Sequence, residues 1–236
     1  MTAAWLADAH VAPEVFALRP DYRALLVLAE DLVPGPSDDV SGKLLASAEA
    51  VAAAAAAAEA ARPPGEHPHV VAWREAFRAF GAKPQRTRPS VDALLRRAPE
   101  GLPRIDRLTD VYNAVSVAHV VPLGGEDVDR YVGPLRLCRA TGDEPFETTA
   151  GGQPVVDHPE PGEVVWRDDA GVTCRRWNWR QCVRTRLTTG TTRAVFVLDA
   201  LGPCGDDELA AAGQALADAL LATSPAALLH TRLLRA

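Results

Sequence analysis

The alternation of apolar and polar positions divides this chain into a helical first half and a strand-rich second half. Residues 14–32 (EVFALRPDYRALLVLAEDL) hold two apolar runs broken by Arg19-Pro20-Asp21. The first run alternates and the second is aliphatic and nearly continuous, so both are predicted as short strands, followed by a PGPSDD loop. From Ser41 to Ala61 alanine dominates, with Leu44, Leu45 and Val51 the only larger apolar groups. Alanine's helix propensity predicts a scaffold helix there, ended by Pro63-Pro64-Gly65. Val70, Trp73, Phe77 and Phe80 then recur at helical spacing and mark a core-facing helix over His69 to Phe80. After an irregular basic loop comes a short helix with Ser90 as its N-cap. Ile105, Leu108, Val111, Tyr112 and Val115 predict an amphipathic helix over Arg104 to His119, with Asn113 beside its buried face.

Beyond this point the period changes. Gly124-Gly125 reads as a turn, and Pro134 to Ala140, the segment around Val155, Val164 to Trp166, Val172 to Trp179 and Ala194 to Leu198 read as strands. Asp206, Asp207 and Glu208 open a helix whose positive N-terminal end they suit, with Leu209, Leu216 and Leu220 as its apolar stripe. A last short helix is predicted over Pro225 to Leu234. Helices first and strands after, framed by a strand pair and terminal helices, predict an α+β fold with a mixed, mostly antiparallel sheet flanked by helices. The Pro/Gly clusters are short, so residues 1–236 are expected to form one domain.

Composition narrows the classes. The 236 residues are 47% hydrophobic, enough for a sizeable core, and carry a net charge of −6. No apolar run is long enough to span a bilayer, and the N-terminus lacks the plan of a signal peptide, so a cytoplasmic protein without membrane contact is expected. The four cysteines (Cys138, Cys174, Cys182, Cys204) lie apart and are expected as reduced thiols, with no metal site. Neither a G-x-x-x-x-G-K-[ST] loop nor G-x-G-x-x-G is present, the serines lack a G-x-S-x-G setting, and the histidines are dispersed. Nucleotide-driven chemistry and a nucleophile triad are therefore unsupported, and no cofactor is expected.

Two positive regions stand against the acidic whole. Between Ala170 and Leu198 six arginines (Arg175, Arg176, Arg180, Arg184, Arg186, Arg193) occur without one acid. If Val172 to Thr185 is extended, Trp177, Trp179 and Val183 point one way and Arg176, Asn178, Arg180 and Arg184 the other. That row either grips an anion or carbonyl, through guanidinium forks, or is paired with carboxylates such as Asp168 and Asp169. Trp166, Trp177 and Trp179 are stacking surfaces or core, and Glu163 is a base or a strand cap. The second region, Lys83 to Arg107, holds seven basic residues against three acids and is either a solvated face or a phosphate-binding one.

The stretches RPSVDALLRRAPEGLPRIDRLTDVYNAVSVAHVVPLGGEDVDR and PGEVVWRDDAGVTCRRWNWRQCVRTRLTTGTTRAVFVLDAL resemble the B3/B4 domain of the phenylalanyl-tRNA synthetase β subunit, and more closely free-standing B3/B4-domain proteins. The resemblance covers roughly Ala61 to Thr223 and is most specific at Val111-Tyr112-Asn113-Ala114-Val115 and Arg176-Trp177-Asn178-Trp179-Arg180. It implies an α+β fold, an aminoacyl-tRNA or amino-acid-like ligand, no cofactor, and hydrolysis of wrongly attached amino acids. Asn113 matches a family position directly. In the synthetase the segment aligning with Cys174 to Thr185 is glycine-rich and includes a glutamate, near whose place Gln181 or Cys182 stands here. The roles expected on that basis are Asn113 and Asn178 orienting the ester or its attacking water, Thr192 supplying a hydroxyl, and Arg176, Trp177, Arg180 and Gln181 holding the substrate. Lys83, Arg86, Arg88, Arg96 and Arg97 are expected to contact the nucleic acid. The alternatives are a non-catalytic module binding an amino acid or small anion, and a partner of another protein through the alanine-rich helix.

Overall fold

The computed structural model describes residues 3–58 and 64–236. In chain order the elements are α1 (Ala3–Asp8), β1 (His10–Val11), α2 (Pro13–Leu18), β2 (Arg23–Glu30), α3 (Asp39–Ala58), α4 (Pro68–Ala79), α5 (Ser90–Arg97), α6 (Arg107–His119), β3 (Leu123–Asp127) and β4 (Arg136–Arg139). Then follow β5 (Phe146–Ala150), β6 (Gln153–Asp157), β7 (Val164–Arg167), β8 (Val172–Arg175), β9 (Arg180–Gln181), β10 (Ala194–Ala200), α7 (Asp206–Thr223) and β11 (Leu228–Arg235). The strands form a four-stranded sheet ordered β11-β2-β10-β3, a five-stranded sheet ordered β1-β4-β7-β8-β9, and the separate hairpin β5-β6. Only β1 and β4 run parallel among the described pairs, so the fold is α+β with mixed, mostly antiparallel sheets.

Alternation along the central strands divides the core. Ala24, Leu26, Leu28, Val195 and Val197 face one side, where they pack with Trp73 and Phe77 of α4 and with Leu137, Trp166 and Trp177 of the other sheet. Val27, Ala29, Phe196, Leu198 and Ala200 face the opposite side, against Leu108 and Val111 of α6 and Leu209, Leu216 and Leu220 of α7. The alanine-rich α3 uses Leu45 and Ala48 to close a third cluster with Val91, Leu95, Ala114 and Val117. The scaffold reading of that helix thus fits the packing of its described part, while residues 59–61 and Pro63 lie outside the described residues. Among the described residues, no helix is long and apolar enough to cross a membrane.

His69 ties these layers together. Its Nδ1 lies 2.8 Å from Val120 O, and its Nε2 accepts from Trp73 Nε1 at 3.0 Å and Leu201 N at 3.1 Å. Two donors on Nε2 fix the neutral tautomer with the proton on Nδ1. Burial holds its pKa down at about 4. His69 is therefore a structural joint.

Several elements differ from the sequence pattern. Residues 13–18 form a helix instead of a strand, with Pro13 preset for a first helical turn and Glu14 at its positive end. Pro89, not Ser90, occupies the N-cap of α5. Ile105 precedes α6 and is exposed, because Asp106 caps the helix by accepting from Thr109 N at 2.8 Å. Gly124-Gly125 sits inside β3 instead of forming a turn. A Cβ on Gly125 would meet Phe196 Cε1 at 2.8 Å, so close packing demands glycine there, whereas one on Gly124 would meet only the flexible end of Gln181, Nε2, at 2.9 Å. The C-terminal segment is strand β11, paired along β2 from Leu228↔Glu30 to Arg235↔Arg23. The open edge of β2 offers backbone hydrogen bonds that a short isolated helix does not match.

Candidate functional site

The stretch from Val172 to Thr185 is a hairpin, not a continuous strand. Strands β8 and β9 pair through Arg175↔Arg180, and Arg176 and Trp177 both adopt left-handed backbone, with φ of 49° and 67°. Such φ values strain an aromatic residue, so other contacts must hold them. Glu163 accepts from Arg176 N at 3.1 Å and pairs with Arg175 at 2.8 Å, while Trp177 N donates to Val164 O at 2.7 Å. The Trp177 ring is wholly buried, 4.9 Å from Tyr22 and 5.3 Å from Trp73 between ring centroids. The turn thereby presents Asn178, Trp179 and Arg180 to the space between the two sheets.

That space is a cavity of about 270 Å³ lined on the hairpin side by Trp166, Cys174 and Trp177 to Gln181. The facing sheet supplies Gly124, Glu126, Val197 and Asp199, and the helices supply Leu94, Tyr112 and Asn113. Asn113 is 7% exposed, and among the described residues its amide has no hydrogen-bond partner. Asn178 Oδ1 is buried without a partner, while its Nδ2 approaches Asp199 Oδ2 at 3.5 Å. Gln181 Nε2 donates to Gly125 O at 2.9 Å, which fixes that amide in the wall. Of the predicted residues, Asn113, Trp177, Asn178, Arg180 and Gln181 therefore meet around one cavity.

Two carboxylates missing from the sequence reading also line it. Asp199 is 3% exposed, and burial raises its pKa to about 7 against the help of Tyr22 Oη, which donates at 2.5 Å. Trp166 Nε1 leans toward this carboxylate and steadies its charge, short of hydrogen-bond geometry. Glu126 is also raised by burial; its Oε2 accepts from the Tyr131 hydroxyl and from Thr185 Oγ1 at 3.0 Å. The signal was an isolated acid within an apolar run: Asp199 is the sole charge in AVFVLDA.

Trp179 and Arg180 belong to a second feature as well. With Ser90 and Ala93 they form both the cavity wall and the wall of an open trough of about 660 Å³, whose remaining lining is Arg86, Arg88, Arg96, Arg97 and Glu100. Ser90 N donates to Asn178 O at 3.2 Å, so the basic helix α5 is docked directly on the strained turn. The Arg176 and Arg180 guanidiniums each lie 4.5 Å from the Trp179 ring centroid. Arg180 is exposed and, among the described residues, has no carboxylate partner.

The other expected residues fall elsewhere. Thr192 is exposed and outside the cavity lining; its carbonyl accepts from Leu32 N at the end of β2. Arg176 points to Glu163, at 3.4 Å, and does not line the cavity. Arg175 and Arg184 pair with Glu163 and Asp168, and Arg136 pairs with Asp169, so most of the arginine excess is structural. Glu163 is a buried ion-pair partner, and Trp166 is core as well as cavity wall. Lys83 is exposed but lies outside the trough lining.

A family model described as B3/4 domain matches residues 72–204, more than half of the chain and inside the 61–223 stretch of the sequence resemblance. Among solved structures, the chain is similar to an N-terminal fragment of the phenylalanyl-tRNA synthetase beta-subunit from Pyrococcus horikoshii, at 11% identity and a TM-score of 0.48. That similarity covers 96% of this chain and 50% of the fragment, so the chain spans about half the fragment's length. No curated protein matches. On the match over residues 72–204, this chain belongs to the B3/4 domain family.

Proposed function

We propose that this chain binds the aminoacylated 3′ end of tRNA, with the amino acid in the cavity and the terminal phosphates in the arginine trough. The observation that carries the reading is the shared wall: Trp179 and Arg180 border both the small, half-open cavity and the basic trough. A terminal base stacks on Trp179, and Arg180 meets the adjoining phosphate or the ester carbonyl. Arg86, Arg88, Arg96 and Arg97 supply the salt-dependent part of the affinity. Residues 1–236 act as one unit in this reading, since the N-terminal β2 and the C-terminal β11 complete the sheet that forms the cavity floor.

Hydrolysis of the ester, if the bound end is turned over, proceeds by positioning. Asn113 and Asn178 orient the attacking water, and Arg180 stabilises the oxyanion that develops at the carbonyl. Thr192 has no part in it. The test is deacylation of a panel of mischarged tRNAs by the wild-type chain and by Asn113→Ala. Release above the buffer rate that falls in the variant is expected; no release across the panel, with tRNA binding intact, would leave a binding module and remove the enzymatic step. That second reading, an amino-acid binder without turnover, is favoured by the lack of an activated nucleophile among the cavity-lining residues, where the Ser90 hydroxyl has no hydrogen-bond partner to serve as its base and Cys174 is held protonated by burial.

A further inference from the structure

Several buried acids among the described residues are paired with arginine. Asp92 lies between Arg74 and Arg96, Asp168 meets Arg184, Glu163 meets Arg175, and Glu144 meets Arg167. Asp106, Asp110 and Asp127 instead accept from backbone N–H groups in caps and turns, whereas Asp199, like Glu126, has neither an arginine nor a backbone N–H. The partners of Asp199 are the neutral Tyr22 hydroxyl and the neutral Asn178 amide, and no cation perturbs it. A carboxylate taken out of water without a counter-charge is costly, and a structure that keeps one inside a cavity leaves a place for a cation from outside.

A second observation points the same way. Asn178 is 8% exposed and its Oδ1, an acceptor, is buried with no partner. Both residues line the same cavity, between the aromatic walls of Trp166 and Trp177. A protonated amine has donors and no acceptor, which suits a carboxylate oxygen beside an amide oxygen, and aromatic walls favour a cation. A ligand carboxylate at this depth would meet like charge, because Arg180 stands at the exposed mouth and Arg176 is committed to Glu163. Glu126 is a separate feature. Its cross-strand partner Val195 lies four residues from Asp199, roughly 13 Å along the strand, and its Oε2 already accepts from two hydroxyls.

We propose that Asp199 and Asn178 form an ammonium subsite at the cavity floor, in which Asp199 Oδ2 and Asn178 Oδ1 accept hydrogen bonds from a protonated amine of the ligand. The inference rests on the reading of the cavity as the place of the amino acid. The amine is either the α-amino group of the aminoacyl ester or the amine of a basic side chain, and the chemistry at the subsite is the same.

The test is calorimetric titration of the full chain with two pairs of amino-acid esters. Norleucine methyl ester against methyl 2-hydroxyhexanoate isolates the α-amine; Nα-acetyl-lysine methyl ester against Nα-acetyl-norleucine methyl ester isolates the side-chain amine. One amine is expected to bind at least about ten-fold tighter than its neutral counterpart, the size of one charge-assisted hydrogen bond, and the pair that shows this identifies the source. In Asp199→Asn that preference is expected to vanish. Equal affinity within both pairs, no detectable binding of either amine, or a preference that survives in a folded Asp199→Asn chain would overturn the proposal. The wild-type comparison decides by itself should the variant fail to fold. The esters contain no RNA, so failed tRNA binding beside an intact amine preference would remove the tRNA reading and leave the subsite standing.

Discussion

Replacing Asp199 by asparagine is expected to stabilise the protein while impairing its site. The native carboxyl has a pKa of about 7 against an ordinary 3.8. The native state therefore binds this proton more tightly than the unfolded chain does, and stability falls as pH rises through the interval between the two values. At about 1.4 kcal/mol per unit, the whole interval amounts to about 4 kcal/mol, of which about 3 kcal/mol falls between pH 5 and pH 8. Asparagine keeps an acceptor for the Tyr22 hydroxyl and removes the titration. Urea unfolding of wild type and variant at pH 5, 6, 7 and 8 gives the stability gap at each pH. The gap is expected to widen in favour of the variant by about 3 kcal/mol across that range. His69, which acts in the opposite sense, cancels in the difference. A gap that stays constant, or that favours wild type increasingly as pH rises, would refute the argument that Asp199 is an uncompensated buried acid.

Further outcomes are expected. His69, with a pKa of about 4, should stay neutral down to pH 5 in an NMR titration and withdraw about 3 kcal/mol of stability as pH falls from 6.5 to 4, since the unfolded chain then takes up a proton the native state refuses; a ring titrating near 6.5 would contradict this. Glu163→Gln leaves the buried Arg175 with Asp157 as its remaining carboxylate partner and weakens the hold on the Arg176 backbone, so it should cost about 1–3 kcal/mol in urea unfolding; no measurable loss would mean the turn is held by other contacts. Gly125→Ala drives a methyl into Phe196 and should cost about 1–3 kcal/mol in the same assay. Gly124→Ala meets only the flexible end of Gln181, and should leave the melting temperature nearly unchanged while weakening ligand binding. Arg88→Ala and Arg97→Ala should each lower the slope of log affinity for tRNA against log salt by about 0.7–0.9, and an unchanged slope would remove them from the phosphate path.

How far the sequence foretold this site follows from what kind of force placed each residue. Helical periodicity located α4, α6 and α7, because their apolar faces are decided locally and buried by neighbours of the same spacing. It placed Asn113 beside the buried face of α6, where the cavity lies. The segment 172–185 misled because β propensity was continuous across Arg176 and Trp177, whereas Glu163, some thirteen residues upstream, supplies the contacts that reverse the chain. Pairing with Glu163 and Asp168 consumed Arg176 and Arg184 and left Arg180 without a carboxylate among the described residues, a distinction invisible to a count of arginines. Gly124 and Gly125 carried a turn signal, yet their small size serves the approach of Gln181 and Phe196 across the sheet. Strand β11 was read as a helix since the edge it completes belongs to β2, two hundred residues away in the chain.

The central claim, that one ligand occupies the cavity and the trough together, is tested most directly with tRNA whose 3′ end carries an amino acid through a stable amide in place of the ester. The account predicts that this tRNA binds at least about ten-fold tighter than the same tRNA uncharged, with an affinity that falls steeply with salt, and that Trp179→Ala removes most of the difference. Equal affinity for charged and uncharged tRNA, or binding indifferent to salt, would contradict it.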